Sequence, residues 1–82
     1  MVELQHINNF SQIYIDGFKL YIAMLKNEYN FNLIGILKKN DRIIEYCETI
    51  SIPNYSKALE IYNKIKDNKV FPSHFYYVID DN

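Results

Sequence analysis

Ser11-Gln12-Ile13-Tyr14-Ile15-Asp16-Gly17-Phe18-Lys19-Leu20-Tyr21-Ile22 is the stretch on which the fold turns. Asp-Gly between two alternating runs is the strongest short-range hairpin signal, because a type I′ turn needs φ > 0 at both central residues. Pairing outward from that turn sets Ile15 against Phe18, Ile13 against Leu20 and Ser11 against Ile22 on one face. Tyr14 against Lys19 and Gln12 against Tyr21 fall on the other. One apolar and one amphipathic face describe an antiparallel sheet packed on one side only. Strands are expected over 11–15 and 18–25.

Downstream, Lys26 to Asn30 reads as a polar loop and Phe31 to Lys38 as a third strand. That strand is apolar on both faces, Leu33 and Leu37 against Ile34 and Ile36, as a central strand should be. Asn40-Asp41 is a second turn signal, and Arg42 to Ile52 is expected as a fourth strand. It would carry Ile44, Tyr46, Ile50 and Ile52 on one side, with Glu48 marking a bulge or a frayed end. Pro53-Asn54 then opens a helix, with Asn54 or Ser56 as its cap. Tyr55, Ala58, Leu59, Tyr62 and Ile65 recur with helical period, and Asp67 to Lys69 ends the run. His74 to Ile79 is rich in strand formers and is expected to close the sheet. In the first ten residues Val2, Leu4 and His6 alternate like a strand, with a helical turn as the alternative.

The expectation is a single α+β domain over residues 1–82: an antiparallel meander of about four to five strands, one amphipathic helix on a face, and a C-terminal strand after it. One helix covers part of such a sheet. Either the sheet curls around it, or the uncovered apolar surface meets another chain.

The chain has 82 residues, 49% of them apolar, which suits one small globular core. Nine basic and ten acidic residues leave a formal charge of −1. That argues against a nucleic-acid binder, which normally carries a basic excess, and equally against an acidic polyanion mimic. No run approaches the roughly 18 apolar residues of a membrane span, so no membrane partner is expected. Cys47 is the lone cysteine and the first residues lack the pattern of a secretory signal, so the expected setting is a reducing cytoplasm.

No residue group has the spacing that catalysis or metal binding needs. His6 and His74 stand far apart, with no Cys or carboxylate at ligand spacing beside either. Cys47 lies between Tyr46 and Glu48, where a carboxylate would raise the thiol pKa and oppose activation. Glu45 and Glu48 are three apart on a strand and so point to opposite faces. Gly35 stands alone in a strand, as at a bulge or a close backbone approach. The reading is a non-enzyme with no cofactor and no metal.

Eight tyrosines remain to be explained. Tyrosine offers a large, rigid contact area with a polar tip, and is enriched where proteins meet. Tyr55, Tyr62 and Tyr46 are assigned to the core. Tyr14 and Tyr21 lie on the polar face of the first hairpin beside Lys19, and Tyr29 lies in a loop. Tyr76 and Tyr77 point to opposite faces of the expected last strand, so one of them leaves the core. The candidate partner-binding residues are therefore Tyr14, Lys19, Tyr21, Tyr29 and Tyr76. The simpler alternative is that strands tolerate exposed tyrosine because it packs across its neighbours. Three ligand classes stay open: a protein partner, a second copy meeting an exposed face or edge, and a single-stranded nucleic acid or nucleotide stacked on the sheet tyrosines.

In length, in its Ile-, Asn-, Lys- and Tyr-rich composition and in its meander-plus-helix pattern, the chain resembles the small AT-rich proteins that phages and mobile elements encode against bacterial defences, anti-CRISPR proteins among them. No diagnostic motif carries the resemblance. It implies stoichiometric binding that blocks a defence effector, sterically or allosterically, in the host cytoplasm. The near-neutral charge departs from those members that imitate DNA.

Overall fold

The structure, a computed structural model, describes residues 6–80. It is an α+β fold: a four-stranded antiparallel sheet in the order β1-β2-β3-β4, with helices on one face. The strands are β1 (His6–Ile15), β2 (Phe18–Lys26), β3 (Phe31–Lys39) and β4 (Arg42–Glu48). Helix α1 (Tyr55–Asp67), a 3₁₀ turn (Pro72–His74) and helix α2 (Phe75–Asp80) follow.

Turn chemistry sets the register. Asp16 and Gly17 take φ of 44° and 86°, and Asn40 and Asp41 take 52° and 63°, so both tight hairpins have the double positive φ of a type I′ turn. The pairs expected around Asp16-Gly17 all form: Ile15 with Phe18, Ile13 with Leu20, Ser11 with Ile22, Tyr14 with Lys19 and Gln12 with Tyr21. Bulges interrupt β1 between Ile7 and Asn9 and shift the β3–β4 register between Leu37 and Lys38. Strand β1 begins at His6, so the strand alternative holds for His6–Phe10; residues 1–5, with the Val2 and Leu4 alternation, lie outside the described residues.

The core lies between the sheet and the helices. Leu20, Ile22, Met24, Leu33 and Leu37 on the inner face are buried with Ala58, Ile61, Tyr62 and Ile65 of α1 and with Phe75. Asn54 caps α1 by accepting the Lys57 backbone N–H at 3.1 Å. Ile61 belongs to the buried stripe although the expected set lacked it, whereas Tyr55 lies at the rim, against the Phe31 ring at 5.4 Å. Buried Tyr62 keeps its hydroxyl satisfied by a hydrogen bond to Ser11 Oγ in β1.

Two expectations need correction. The fourth strand ends at Glu48, and Ile52 returns only as an isolated bridge to Phe31. Between them the Thr49 N–H donates to Leu33 O at 2.9 Å and Thr49 Oγ1 accepts the Leu33 N–H at 3.0 Å, so backbone and side chain together carry the pairing one residue past the strand.

The C-terminal strand does not form: His74 to Ile79 is helical. Strand propensity loses here to tertiary need. Helix α1 packs against β2 and β3, while the Pro72–His74 turn packs against β3 and β4 and brings Phe75 onto the inner face at Gly35. Pro72 starts the turn with a preset φ, and Phe75, Val78 and Ile79 fall at i, i+3 and i+4. Phe75 ends fully buried.

Its seat is Gly35. A Cβ built on Gly35 would stand 2.3 Å from Phe75 Cζ and 3.2 Å from Pro72 Cγ. The lone strand glycine thus marks a close approach, a notch in the inner face that admits the aromatic ring.

Candidate functional site

Among the described residues no helix lies over the outer face of the sheet, and its composition is unlike that of a solvated surface. The register arranges it in rows running from β1 to β4. Nearest the two tight turns lie Tyr14, Lys19, Lys38 and Ile43; next come Gln12, Tyr21, Ile36 and Tyr46; then Phe10, Ala23, Ile34 and Glu48. Ile7 and Leu25 extend the surface beyond them. Phe10 is 57% exposed, Tyr14 68%, Ile43 58% and Tyr46 57%, so bulky apolar groups from both edge strands stand in solvent together. Contiguous apolar surface of this kind marks a contact site more often than isolated exposed residues do.

Its polar groups are ordered by those rings. Lys19 Nζ lies 5.9 Å from the centre of the Tyr14 ring, and Lys38 Nζ lies 5.7 Å from that of Tyr21. Gln12 Nε2 donates to Tyr14 Oη at 2.7 Å, and the Phe10 and Tyr21 rings meet at 6.2 Å. At the far edge Tyr46 Oη donates to Glu48 Oε1 at 3.1 Å. That bond first, then burial and the Glu48 charge, raises the Tyr46 pKa above its usual value. These contacts restrain the aromatic side chains on the face, and restrained groups have less entropy to lose when a surface is covered.

Tyr46 and Ile44 are therefore not core, as their alternation had suggested. Tyr46 faces out beside Ile36, and Ile44 sits in the β4 bulge, about half exposed.

The candidate residues divide into three places. Tyr14, Lys19 and Tyr21 come together on the outer face. Tyr29 stands at the tip of the β2–β3 loop, at the opposite end of β2 from Tyr14, and is highly exposed. An amide network fixes that loop: Asn27 Nδ2 donates to Asn30 Oδ1 (2.9 Å) and to Asn32 Oδ1, and Asn32 Nδ2 donates to Thr49 O (2.8 Å). Tyr76 lies on α2, in the helical layer, and does not join the outer-face cluster. Phe10, Lys38, Ile34, Ile36 and Ile43 complete the surface without having been singled out. The two type I′ turns fix β1 on β2 and β3 on β4, but Lys38 beside Lys19 and Ile36 beside Tyr21 follow from the β2–β3 pairing across the Asn27–Asn30 loop, which no tight-turn signal in the sequence sets.

Cys47 lies on the inner face opposite Gly35, and burial raises its pKa. Glu45 faces inward and accepts the Ser73 N–H at 3.0 Å, while Glu48 faces outward, so the two carboxylates are on opposite sides of the sheet. Among the described residues no group of three or more His, Cys, Asp or Glu is placed to hold a metal ion, and no helix is long and apolar enough to cross a membrane. A cleft of about 220 Å³ between the two tight turns is lined by Gly17, Lys19, Lys38, Asn40 and Asp41, smaller than the roughly 300–1,000 Å³ of ordinary ligand pockets.

In comparisons with known proteins, no family model matches this chain, and no curated protein and no solved structure is detectably similar to it.

Proposed function

We propose that this chain is a non-enzymatic protein-binding module that acts by occupying a partner's surface in fixed stoichiometry. The observation that carries this reading is the uncovered outer face, where Tyr14, Tyr21, Phe10, Ile36 and Tyr46 form one apolar and aromatic surface. Aromatic anchors ringed by polar contacts are the usual energetic centre of a protein interface. The resemblance to anti-defence proteins supplies the class of partner: a bacterial defence effector, blocked by steric occlusion or by an allosteric effect.

Changing Tyr14 and Tyr21 together to Ala should weaken partner binding by about 2 kcal/mol or more, with the melting transition preserved. The check is affinity capture from a bacterial lysate in parallel with wild type, followed by calorimetry on the captured partner. Equal capture by both forms removes the outer face from the function. Loss of the melting transition would assign the two rings to the fold instead.

A second reading has a specific observation behind it. Lys19 and Lys38 flank Tyr14 and Tyr21, and cations beside stacking rings are what a single-stranded nucleic acid would use. The aliphatic remainder of the face, Ile34, Ile36 and Ile43, has no role in such a complex, which ranks it second. A tyrosine-fluorescence titration with single-stranded oligonucleotides at low salt decides it, and a flat response removes it.

A further inference from the structure

Among the described residues no element covers the outer face or pairs with either edge strand of the sheet, but the edges differ in kind. Unpaired strands in native proteins are guarded by charges, prolines or bulges against joining other strands. Strand β4 is guarded: it carries Arg42, Glu45 and Glu48, has a bulge, and has the Pro72–His74 turn held against it through Glu45. Strand β1 reads His-Ile-Asn-Asn-Phe-Ser-Gln-Ile-Tyr-Ile, with no Asp, Glu, Lys, Arg or Pro from His6 to Ile15. Its one irregularity is the bulge between Ile7 and Asn9, which leaves an uninterrupted segment from Asn9 to the turn at Asp16.

We infer that β1 pairs antiparallel with β1 of a second copy of this chain, with Gln12 on the two-fold axis, to form a continuous eight-stranded sheet. Three observations converge on that occupant and that register.

The first is charge. A two-fold axis sets the residue on it beside its own copy and repeats every other cross-edge contact, so like charges near the axis would repel, and β1 carries none. The second is hydrogen-bond direction. The two-residue turn makes Ile15 and Phe18 a hydrogen-bonded pair, and alternation then turns the backbone groups of Tyr14, Gln12 and Phe10 away from β2. Gln12 can therefore occupy the axis, opposite its own copy, in a hydrogen-bonded pair.

The third is length. Asn9–Ile15 has Gln12 at its midpoint, so this register pairs Asn9 with Ile15 of the second copy and uses the whole segment between bulge and turn. It makes about six main-chain hydrogen bonds. It also sets Phe10 against Tyr14 of the other copy, twice, on the outer face.

The axis runs through the sheet, so both outer faces end on the same side. The inference is independent of the protein partner proposed above: it concerns the edge, and the dimer would present that face in duplicate.

Sedimentation velocity on the wild-type chain tests it directly, together with residue-resolved amide exchange. The expected result is a dimer that dissociates on dilution, with the Phe10, Gln12 and Tyr14 amides protected in the dimer and exchanging fast in the monomer. A wild-type chain that stays monomeric up to about 100 µM overturns the proposal, leaving the edge to a strand from a different protein. So does a dimer in which those three amides exchange freely, since that dimer would meet through its faces.

Gln12 is exposed, so charge can be placed on the axis without disturbing the core. Gln12→Glu and Gln12→Lys should each weaken the dimer by about tenfold or more, and an equal mixture of the two should restore it as a mixed pair. Wild-type self-association of both variants, or a mixture no tighter than either alone, overturns the register.

Discussion

Gly35→Ala should destabilise this protein by about 3 kcal/mol, an effect out of proportion to the single methyl it adds. Alanine is ordinarily the better residue in a strand, because glycine has more backbone freedom to lose on folding. Here the new Cβ would stand 2.3 Å from Phe75 Cζ and 2.4 Å from Cε2, well inside contact distance. The ring has nowhere to go, since Phe75 is fully buried and Pro72, 3.2 Å from the same Cβ, closes another side. Relief requires the C-terminal turn and α2 to lift from the sheet. A domain of 82 residues has stability on the order of 4–12 kcal/mol, so such a loss is a large share of the total.

The cause can be separated from a general backbone effect by a double-mutant cycle. Phe75→Leu alone should cost about 1–2 kcal/mol through lost burial. Combined with Gly35→Ala it should cost at least about 1 kcal/mol less than the sum, because the smaller side chain vacates the space that the methyl enters. Urea denaturation of the four forms measures this. Strict additivity would mean that the methyl meets something other than the ring.

That notch also shows what could be read from residues alone and what could not. The first hairpin was legible because its turn chemistry and its alternation agree: Asp16-Gly17 sets the register, and Ile13, Ile15 and Leu20 confirm which face is inward. The strand glycine announced a close approach but not its partner, since Phe75 lies 40 residues away and contacts at that separation leave no local pattern. The segment 74–79 misleads because Phe, Tyr, Val and Ile favour strands individually while their spacing from Phe75 to Val78 and Ile79 is helical.

The outer face misleads for a different reason. Ile34 and Ile36 make β3 apolar on both sides, the mark of a strand buried twice. Among the described residues only the inner side is covered. A pattern that usually reports a second packed layer here belongs to a face that no described element covers, and only the placement of the described helices on the inner face distinguishes the two. The placement of Tyr14, Lys19 and Tyr21 on one face was legible through hairpin register, whereas Tyr76 was misplaced with the strand that does not form.

Tyr62→Ala should cost about 3–5 kcal/mol and is the substitution in α1 with the largest expected effect. Tyr62 is 2% exposed and reaches from the helix to β1, and its removal leaves a cavity between the two. Two contributions add. The ring is part of the central cluster with Ile61 and Ile65, and its hydroxyl bonds to Ser11 Oγ, a link from the helix to the edge strand. Tyr62→Phe separates them: it keeps the ring, removes the bond, and should cost only about 0.5–1.5 kcal/mol. Leu59, half-buried beside the same cluster, should cost less than Tyr62 on change to Ala, because solvent already reaches it. Chemical denaturation of the three variants orders them. If Leu59→Ala proved as costly as Tyr62→Ala, the helix would be packing through a different stripe. If Tyr62→Phe matched Tyr62→Ala, the hydrogen bond to β1, rather than the volume of the ring, would be what holds the two layers together.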